Sequence, residues 1–411
     1  MTLMETIGAE VASPEAAGMS SQRLARIAPT MEAFVKDNRL PGVMTLLQRR
    51  GKVVHFGKFG LTNIEAGVPI KEDTIFRIYS MTKPVVSVAA MMLLEEGRFR
   101  LNDPVSKFIP AFAKTKVYAG SSALGLKLVD QLTPITLHHL LTHTSGLSYG
   151  WFFDSPVEDL YRKAIPELFL RTRSLQQVVE RIAEIPLLFQ PGTQWRYSYA
   201  TDVLGYVVQV VADMPLADFL AQRIFKPLGM IDTAFQVAPE KASRLAQIYA
   251  SKALYEPDPI PADNVPLIGD VTQTTQCPSS GGGLTSTLSD YLKFCNCLLN
   301  KGSYEGTQLI GRKTLALMTA NHIPDRLMPL MIGANELDHG FGLGFRVATD
   351  LGKARALTSV GEYGWAGAAQ TYFWIDPSED FIGLMMTQHM PLEVYPVQQI
   401  FRNLAYQAIA D

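Results

Sequence analysis

The fold is decided by the stretch Phe76-Arg77-Ile78-Tyr79-Ser80-Met81-Thr82-Lys83-Pro84, which leads directly into an apolar segment from Val85 to Leu94. Every residue of that segment except Ser87 is apolar, too many for the single apolar stripe of a surface helix. A helix that is apolar all round is a buried one. We therefore predict a core helix from Ser80 to Glu96. Pro84 fits this prediction, because proline is tolerated in the first turn of a helix.

The first turn of this predicted helix carries a hydroxyl and an amine. Ser80 and Lys83 are three residues apart and therefore lie on one face of the turn. Burial disfavours the charged form of a lysine, so its amine becomes available as a base. A serine hydroxyl becomes a nucleophile when such a base lies within hydrogen-bond reach. The pair also fits a purely structural arrangement, in which Ser80 caps the helix and Lys83 extends its charged end into solvent.

Length and composition narrow the class of protein. The 411 residues are enough for two domains or for one large α/β body with an inserted lobe. A hydrophobic content of 47% and a charged content of 18% are typical of a globular protein with a substantial core. The net charge of -2 gives no indication of nucleic-acid binding. No stretch reaches about 18 uninterrupted apolar residues, so we expect no membrane partner.

The N-terminus and the cysteines indicate the compartment. The segment from Met1 to Ala17 carries three glutamates and no apolar run, so we expect neither a secretory signal nor a transit peptide. Cys277, Cys295 and Cys297 form an odd, sparse set without the spacing of a metal site. Reduced structural thiols in a cytoplasmic protein are the simplest interpretation.

The first part of the chain predicts a helix followed by a hairpin. An amphipathic helix is expected from Ser21 to Lys36, with Pro29 as a kink or break. The segments Val43 to Arg49 and Lys52 to Phe59 predict a β-hairpin across Arg50-Gly51.

Helical periodicity dominates from Leu101 to about Cys277, interrupted by Pro/Gly-rich connectors. The predicted helices are Leu137 to Leu141, Leu175 to Ile185, Val203 to Val211 and Leu216 to Ile224, with a further helix at Ser289 to Leu299. The last hundred residues favour short strands, namely Phe341 to Ala348, Ala354 to Val360, Ala369 to Ile375 and Phe381 to Thr387, before a final helix at Val394 to Ala410.

These elements predict an α+β architecture. No helical crossover separates the last two strands, which favours an antiparallel sheet. The N-terminal hairpin and the C-terminal strands would form this sheet, flanked by helices, with the mostly helical lobe inserted between them. We expect an α/β domain from residues 1–79 plus 280–411 and a helical domain from residues 80–279, with the site at their interface.

Two further segments are candidates for the site. Trp195-Arg196-Tyr197-Ser198-Tyr199 opens an apolar helix, where the phenol of Tyr197 could relay a proton beside a serine and an amine. The run Gly361 to Ala369 sets small residues around one aromatic, which suits close approach of the backbone to a ligand. Each segment alone also fits a packing role, as a buried aromatic or as a Gly-rich turn into an edge strand.

Two motifs suggest other chemistry. His139 and His143 have the i, i+4 spacing of zinc-binding helices, but the glutamate of that motif is replaced by Leu140 and no third ligand is suggested. The run Gly146-Leu147-Ser148-Tyr149-Gly150 spells the Gly-x-Ser-x-Gly elbow of Ser-His-Asp hydrolases. That elbow needs a strand before the serine and a helix after it. Here a helix precedes Ser148 and a loop follows, so we interpret Ser148 as a turn residue. Because the two histidines lack a third ligand, we expect no metal.

Taken together, the motifs resemble those of a known family. Ser80-Met81-Thr82-Lys83, Tyr197-Ser198-Tyr199 and Trp365-Ala366-Gly367 stand in the order and at the separations found in the serine β-lactamase/penicillin-binding protein fold. Within that fold they are similar to the family VIII carboxylesterases, relatives of class C β-lactamases. Leu141-Thr142-His143-Thr144-Ser145-Gly146-Leu147 and Gly281-Gly282-Gly283-Leu284 resemble further stretches that recur in the group. The resemblance extends from about Met31 to near the C-terminus.

The resemblance implies a role for each motif. Ser80 would be the acylated nucleophile, with Lys83 and Tyr197 sharing the proton transfer. The backbone N–H groups of Ser80 and Ala368 would form the oxyanion hole. Trp365, followed by Ala366 and Gly367, would occupy the position of the lysine in the Lys-Thr-Gly motif of β-lactamases. No metal or organic cofactor is implied.

Departures from the β-lactamase pattern bear on the substrate. Tyr199 stands where β-lactamases usually have asparagine, and Trp365 removes the cation that would hold a β-lactam carboxylate. A neutral small-molecule ester suits such a pocket better. Aromatic residues that could line it and favour short acyl or aryl groups are Tyr149, Trp151, Phe152 and Phe153.

The predicted function is a serine esterase acting through an acyl-enzyme. A β-lactamase or D-amino-acid peptidase, an acyltransferase, and a binding protein without turnover are the alternatives.

Overall fold

The structure is a computed structural model of the 411-residue chain. It describes residues 10–11, 13–123, 125–168, 173–252, 256–262, 269–275, 277–337, 339–392 and 394–411.

A large sheet forms the centre of the protein, and its strands come from both ends of the chain. Neighbouring strands are antiparallel, apart from Glu10–Val11, which runs parallel to Lys52–Asn63. The order across the sheet is Glu10–Val11, Lys52–Asn63, Gly42–Arg49, Phe381–Thr387, Tyr372–Asp376, Tyr363–Ala366, Arg346–Val347 and Gly340–Phe341, with Val68–Pro69 paired to Lys52–Asn63. The α+β fold with an antiparallel sheet of N- and C-terminal segments is therefore confirmed.

Small pairings complete the strands. They are Phe76–Arg77 with Thr285–Ser286, Val117–Ser122 with Gly125–Val129, Ser303–Tyr304 with Thr307–Gln308, Leu330–Ile332 with Asn335–Leu337, and Tyr249–Ala250 between His389–Met390 and Ile260–Pro261. The α-helices are Ser21–Leu24, Ile27–Lys36, Thr82–Glu95, Leu137–Leu141, Pro156–Leu168, Leu175–Ala183, Ala200–Ala212, Leu216–Leu220, Leu288–Leu299, Arg312–Met318, Leu351–Ala354 and Val397–Tyr406.

The two faces of the sheet belong to different hydrophobic clusters. In the central strand Gly42–Arg49, Met44 and Leu46 point into the larger cluster, and Val43 and Leu47 point into the smaller one. This alternation follows from the period of two in a strand. The smaller cluster is covered by Ile27–Lys36 and Val397–Tyr406, the larger by Leu288–Leu299 and the helical lobe. Helices thus cover both faces.

The predicted core helix is confirmed. It begins with a 3₁₀ turn, Tyr79–Met81, and continues as Thr82–Glu95, with every residue from Thr82 to Leu93 buried. It packs against Ala200–Ala212, in which every residue from Ala200 to Val208 is buried. In the described residues no single helix is long and apolar enough to cross a membrane. The bent pair Ala200–Ala212 and Leu216–Phe225, which passes that test jointly, turns through 80°.

The hairpin across Arg50-Gly51 is also confirmed, and both turn residues have positive φ values of 52° and 72°. Such a turn matches the twist of the strands it joins. The helix predicted from Ser21 to Lys36 is interrupted after Leu24 and resumes at Ile27. Pro29 explains the interruption, because proline has no N–H to donate to the carbonyl four residues earlier.

Several predicted elements differ from the structure. The segment from Ala354 to Val360 is not a strand: Leu351–Ala354 is a short helix, and Leu357 and Val360 are exposed. These apolar side chains therefore do not pack in the core. The strand predicted from Phe341 to Ala348 is two short strands, Gly340–Phe341 and Arg346–Val347.

Two elements of the inserted lobe were not predicted from the sequence. They are the helix Pro156–Leu168 and the hairpin Val117–Ser122 with Gly125–Val129.

Candidate active site

Ser80 lies on a tight turn at the buried end of the core helix. The preceding residue, Tyr79, has a positive φ of 45°, a backbone conformation that residues other than glycine seldom adopt. Such outliers persist where the surrounding structure holds them, and they cluster at functional sites. The turn exposes Ser80 to a cavity of about 870 Å³.

Lys83 points back at this serine. Its amine donates hydrogen bonds to Ser80 Oγ at 3.1 Å and to the carbonyl oxygen of Gly281 at 2.6 Å. The side chain is only 2% exposed. Burial lowers the pKa of the Lys83 amine to about 7, against the opposing charge of Asp202. A large share of Lys83 is therefore uncharged near neutral pH and able to accept a proton.

Tyr197 reaches the same point from the segment before the Ala200–Ala212 helix. The Lys83 amine lies 4.6 Å from the centre of its ring, and the indole N–H of Trp365 donates to its hydroxyl at 3.2 Å. Burial raises the pKa of the Tyr197 phenol, although its hydrogen bonds to Ser80 and Trp365 act in the opposite direction. At neutral pH Tyr197 is thus a protonated phenol in contact with the serine.

The third segment is the end of the strand Tyr363–Ala366 and the turn that follows it. An added Cβ on Gly367 would lie 2.5 Å from the carbonyl oxygen of Ile78, so only glycine permits this close approach to the turn before Ser80. The approach brings Ala368 to the cavity wall together with Ser80. The three motifs that are distant in sequence therefore meet at one cavity.

An aromatic wall lines the cavity next to this corner. The rings of Tyr149 and Trp151 are stacked at 5.0 Å, and Tyr149 meets Tyr199 edge-on at 4.4 Å. Phe152 contacts the Tyr197 ring at 6.1 Å, and all of these side chains line the cavity. The prediction that Phe153 lines the cavity is wrong. The Arg196 guanidinium covers its ring at 3.5 Å, and Phe153 is not among the described residues of the cavity wall.

Asp202 is a site residue that reasoning from the sequence missed. It is 4% exposed, lines the cavity, and accepts hydrogen bonds from the Ser279 hydroxyl at 2.8 Å and the Gly281 N–H at 3.1 Å. The Gly281 peptide therefore connects Asp202 on one side with Lys83 on the other. Burial raises the pKa of the Asp202 carboxyl, against the effect of Lys83. The sequence did contain a signal for Asp202, because it is a carboxylate in the first turn of an otherwise largely apolar helix.

The glycine run Gly281-Gly282-Gly283 packs closely, as the sequence predicts. A Cβ on Gly281 would lie 2.3 Å from a carboxylate oxygen of Asp202, and one on Gly283 would lie 2.8 Å from the Ser279 carbonyl oxygen.

The histidine and elbow motifs lie outside this arrangement. His139 accepts the Thr136 N–H in a helix cap, and His143 packs on the Tyr197 ring at 4.9 Å with Ser198 as its hydrogen-bond partner. Within the described ranges no group of three or more His, Cys, Asp or Glu residues could hold a metal ion. The hydroxyl of Ser148 is buried against the Glu158 carboxylate.

The three cysteines Cys277, Cys295 and Cys297 are free thiols.

An antiparallel sheet with an inserted helical lobe, and a Ser-x-x-Lys turn beside a buried tyrosine at the wall of a cavity, define the serine β-lactamase and penicillin-binding protein class. The chain belongs to the Beta-lactamase family, whose family model matches residues 27–407. This match confirms the family and the fold that the sequence motifs resemble.

Individual relatives are similar over much of the chain. Protein Rv1367c of Mycobacterium tuberculosis (strain ATCC 25618 / H37Rv) is 35% identical over 368 residues, which cover 86% of each chain. Esterase EstB of Burkholderia gladioli is 37% identical over 219 residues, 53% of each chain. Among solved structures, EstCE1, a hydrolase with promiscuous acyltransferase activity, has a TM-score of 0.76 at 27% identity, covering 94% of this chain and 99% of its own.

Proposed function

We propose that the protein is a serine carboxylesterase that hydrolyses short-chain or aryl esters through an acyl-enzyme on Ser80. The observation that carries this proposal is the contact of Ser80 with the buried, largely uncharged amine of Lys83 at the wall of a cavity. The similarity to Esterase EstB and to the hydrolase EstCE1 supports the same chemistry. The pairing of Ser-x-x-Lys with Tyr197 and Trp365 supports membership of the family VIII carboxylesterases.

In the proposed acylation step, the uncharged Lys83 amine takes the proton from Ser80 Oγ as that oxygen attacks the ester carbonyl carbon. The alkoxide then leaves and receives a proton from the Tyr197 phenol, which Lys83 reprotonates. Burial keeps Tyr197 protonated, so it acts as a proton carrier rather than as a standing phenolate.

Deacylation follows the same route in reverse. Water attacks the acyl carbon and gives a proton to Tyr197 and Lys83. These groups return a proton to Ser80 Oγ as the bond between the acyl group and the serine breaks and the acid departs. The developing oxyanion would be held by the backbone N–H groups of Ser80 and Ala368, a role supported by their shared position at the cavity wall.

Asp202 completes the proposed machinery as a positioning residue. It binds the Gly281 N–H, and the Gly281 carbonyl accepts from Lys83, so the carboxylate holds the amine beside Ser80 through one peptide. Its negative charge also raises the pKa of Lys83, which burial alone would push lower. The protonation state of the base thus depends on Asp202.

The substrate-binding residues proposed beside this machinery are the aromatic ones. Trp365 holds the Tyr197 hydroxyl with its indole N–H instead of presenting a cation to the ligand. Tyr149, Tyr199, Trp151 and Phe152 offer an apolar wall for an acyl or aryl group, with Gly367 giving the strand its close approach.

The division into 1–79 plus 280–411 and 80–279, with this site between them, is part of the same proposal. The free thiols support a reducing compartment such as the cytoplasm.

Acyl transfer to an alcohol is a second candidate activity. The structure described as EstCE1, a hydrolase with promiscuous acyltransferase activity, supports it. The apolar wall around Ser80 would favour an alcohol over water as the acceptor when one is present. Both activities use the same acyl-enzyme.

The proposal is tested by comparing p-nitrophenyl acetate, butyrate and longer esters with a chromogenic cephalosporin, with Ser80→Ala as the control. We expect fast turnover of the short esters and slow or absent cephalosporin cleavage. Equal rates, or faster cephalosporin cleavage, would favour a β-lactamase and remove the argument based on Trp365. No turnover of any compound would favour a binding protein. An added alcohol that diverts the product to a new ester would demonstrate acyl transfer.

A further inference from the structure

The cavity has a second polar region, formed by two arginines. Arg346 belongs to the short strand Arg346–Val347 and Arg402 to the helix Val397–Tyr406. Both side chains line the cavity, and the residues are only 5% and 8% exposed. Neither has a part in the proposed chemistry at Ser80.

The two guanidinium groups share one carboxylate. Glu362 is fully buried and accepts from Arg346 at 2.6 Å and from Arg402. Although burial favours the neutral acid, the two arginines hold the pKa of Glu362 below its usual value. Glu362 also accepts from the Thr358 hydroxyl at 2.8 Å, and Arg346 donates to the Tyr372 hydroxyl at 2.8 Å.

Other acidic groups are engaged elsewhere. Asp376 approaches the cluster through the Tyr406 hydroxyl, which lies 2.9 Å from Asp376 and 3.1 Å from Glu362. On the facing hairpin, Glu336 pairs with the exposed Arg355 at 3.7 Å. The two arginines therefore share Glu362 as the one carboxylate in direct contact with both of them in the described structure. Burial of an uncompensated ion costs several kcal/mol.

We propose that Arg346 and Arg402 form a binding site for a carboxylate carried by the ester substrate. The inference rests on the proposed esterase function and narrows its substrate class to half-esters of dicarboxylic acids or esters of hydroxy acids. Arginine suits this role because its planar donors match a carboxylate. The Arg402 guanidinium also has unused hydrogen-bonding capacity, because its Nε is buried and has no hydrogen-bond partner within the described structure.

The register of the sheet sets the length of the substrate. Arg346 lies directly opposite Gly364, and Ala366 and Ala368 continue from there along the cavity wall toward Ser80. The extended strand covers about 7 Å from Gly364 to its end at Ala366, and the turn that follows brings Ala368 to the cavity wall together with Ser80. A four-carbon diacid is too short for that separation, and an eight-carbon diacid reaches much further along it. The lysine that β-lactamases carry at the position of Trp365 is absent here. Its counterparts are Arg346 and Arg402, which lie further along the cavity wall and beyond the reach of a β-lactam carboxylate.

The test compares two esters of equal length with the unmodified protein. Mono-p-nitrophenyl suberate carries a free carboxylate, and p-nitrophenyl methyl suberate has that carboxylate capped. We expect kcat/KM to be about 10- to 100-fold higher for the free acid, through a lower KM, as for a hydrogen bond to a charged group. Mono-p-nitrophenyl succinate should gain little over its methyl ester.

Variants assign the preference to the arginines. Arg346→Gln and Arg402→Gln should each abolish most of the preference for the free acid, and the matched control Arg355→Gln should retain it. If either variant fails to fold, the comparison of the two suberates in the unmodified protein still decides. A second pair, 8-(butyryloxy)octanoate and its methyl ester, distinguishes a carboxylate on the alcohol side from one on the acyl side.

The outcomes separate the two proposals. Cleavage of both suberates and both butyryloxyoctanoates at equal rates would overturn the carboxylate site and leave the esterase function standing. If no ester is cleaved, the esterase function fails. In that case the melting temperature tests the carboxylate site: suberate should raise it, and 1,8-octanediol should not.

Discussion

Two serines of this chain stand in sequence motifs of hydrolases, the partly exposed Ser80 and the buried Ser148, and their surroundings differ in kind. Ser80 lies at the wall of a large cavity with the amine of Lys83 at 3.1 Å. Ser148, at the centre of the Gly-x-Ser-x-Gly match, is 1% exposed and donates to the buried carboxylate of Glu158. One hydroxyl faces a base and a space for substrate, and the other ties a loop to a helix.

The difference shows what makes a serine a nucleophile. An amine with a pKa near 7 can take the proton of a hydroxyl and return it within one reaction cycle. The Glu158 carboxylate accepts a hydrogen bond from the Ser148 hydroxyl, which is buried and does not line the cavity that would hold a substrate. The helix before Ser148 and the loop after it already argue against the elbow.

Removal of the Ser80 hydroxyl should have the largest effect. We expect Ser80→Ala to lower kcat for p-nitrophenyl butyrate by on the order of 10⁴-fold or more, since one member of a cooperating catalytic set is lost. Steady-state rates checked against the melting temperature would measure this. Residual activity within tenfold of the unmodified protein would mean that another nucleophile acts.

Loss of either proton-transfer group should come next. Lys83→Ala and Tyr197→Phe should each cost about 10²- to 10⁴-fold in kcat, the usual contribution of general acid–base catalysis. Tyr197→Phe keeps the ring that packs on His143, so its effect reports on the hydroxyl. Single-turnover kinetics on both variants would show whether acylation slows; an unchanged acylation rate in either would remove that residue from the mechanism.

Asp202→Asn should shift the pH dependence more than it abolishes activity. Lys83 must be uncharged to accept a proton, so activity should rise with pH through about 7. The Asp202 charge raises the pKa of Lys83, and its removal should therefore move this acidic limb to lower pH. The pH profile of kcat/KM measures the shift. A lower rate with no shift in the acidic limb of the pH profile would mean that Asp202 has only a structural role.

Removal of the Ser148 hydroxyl should have the smallest effect on activity. Ser148→Ala leaves Glu158 without this donor, so it should cost about 1–3 kcal/mol in the free energy of unfolding. We expect kcat/KM to stay within a few-fold. Denaturant unfolding and ester turnover on one preparation would separate the two effects. A loss comparable to that of Ser80→Ala would restore the elbow as the catalytic motif.

The sequence predicted the parts of the site that carry local patterns. The apolar run after Ser80 indicated the buried helix, and the spacing to Lys83 indicated a shared face. The position of Tyr197 and Trp365 at one cavity rests on contacts between distant segments, which only the family resemblance could suggest.

What the sequence did not reveal depends on tertiary packing. The run Gly361 to Ala369 also fitted a Gly-rich turn into an edge strand, but Tyr363–Ala366 within it is an inner strand. Its Gly364 is required because a Cβ there would lie 2.2 Å from the Phe373 carbonyl oxygen. The role of Asp202 depends on a peptide almost eighty residues away. The cluster of Arg346, Arg402 and Glu362 cannot be recognised in the sequence either, because its members come from three separate segments.

The most direct test of the account is to locate the acyl group. A reaction with p-nitrophenyl butyrate, quenched with acid during turnover and digested, should give a peptide containing Ser80 that is heavier by one butyryl group. The adduct should be absent from Ser80→Ala and present in Ser148→Ala. Butyrylation of the peptide with Ser148, or of neither peptide while the ester is being cleaved, would contradict the claim that the amine of Lys83 makes Ser80 the nucleophile.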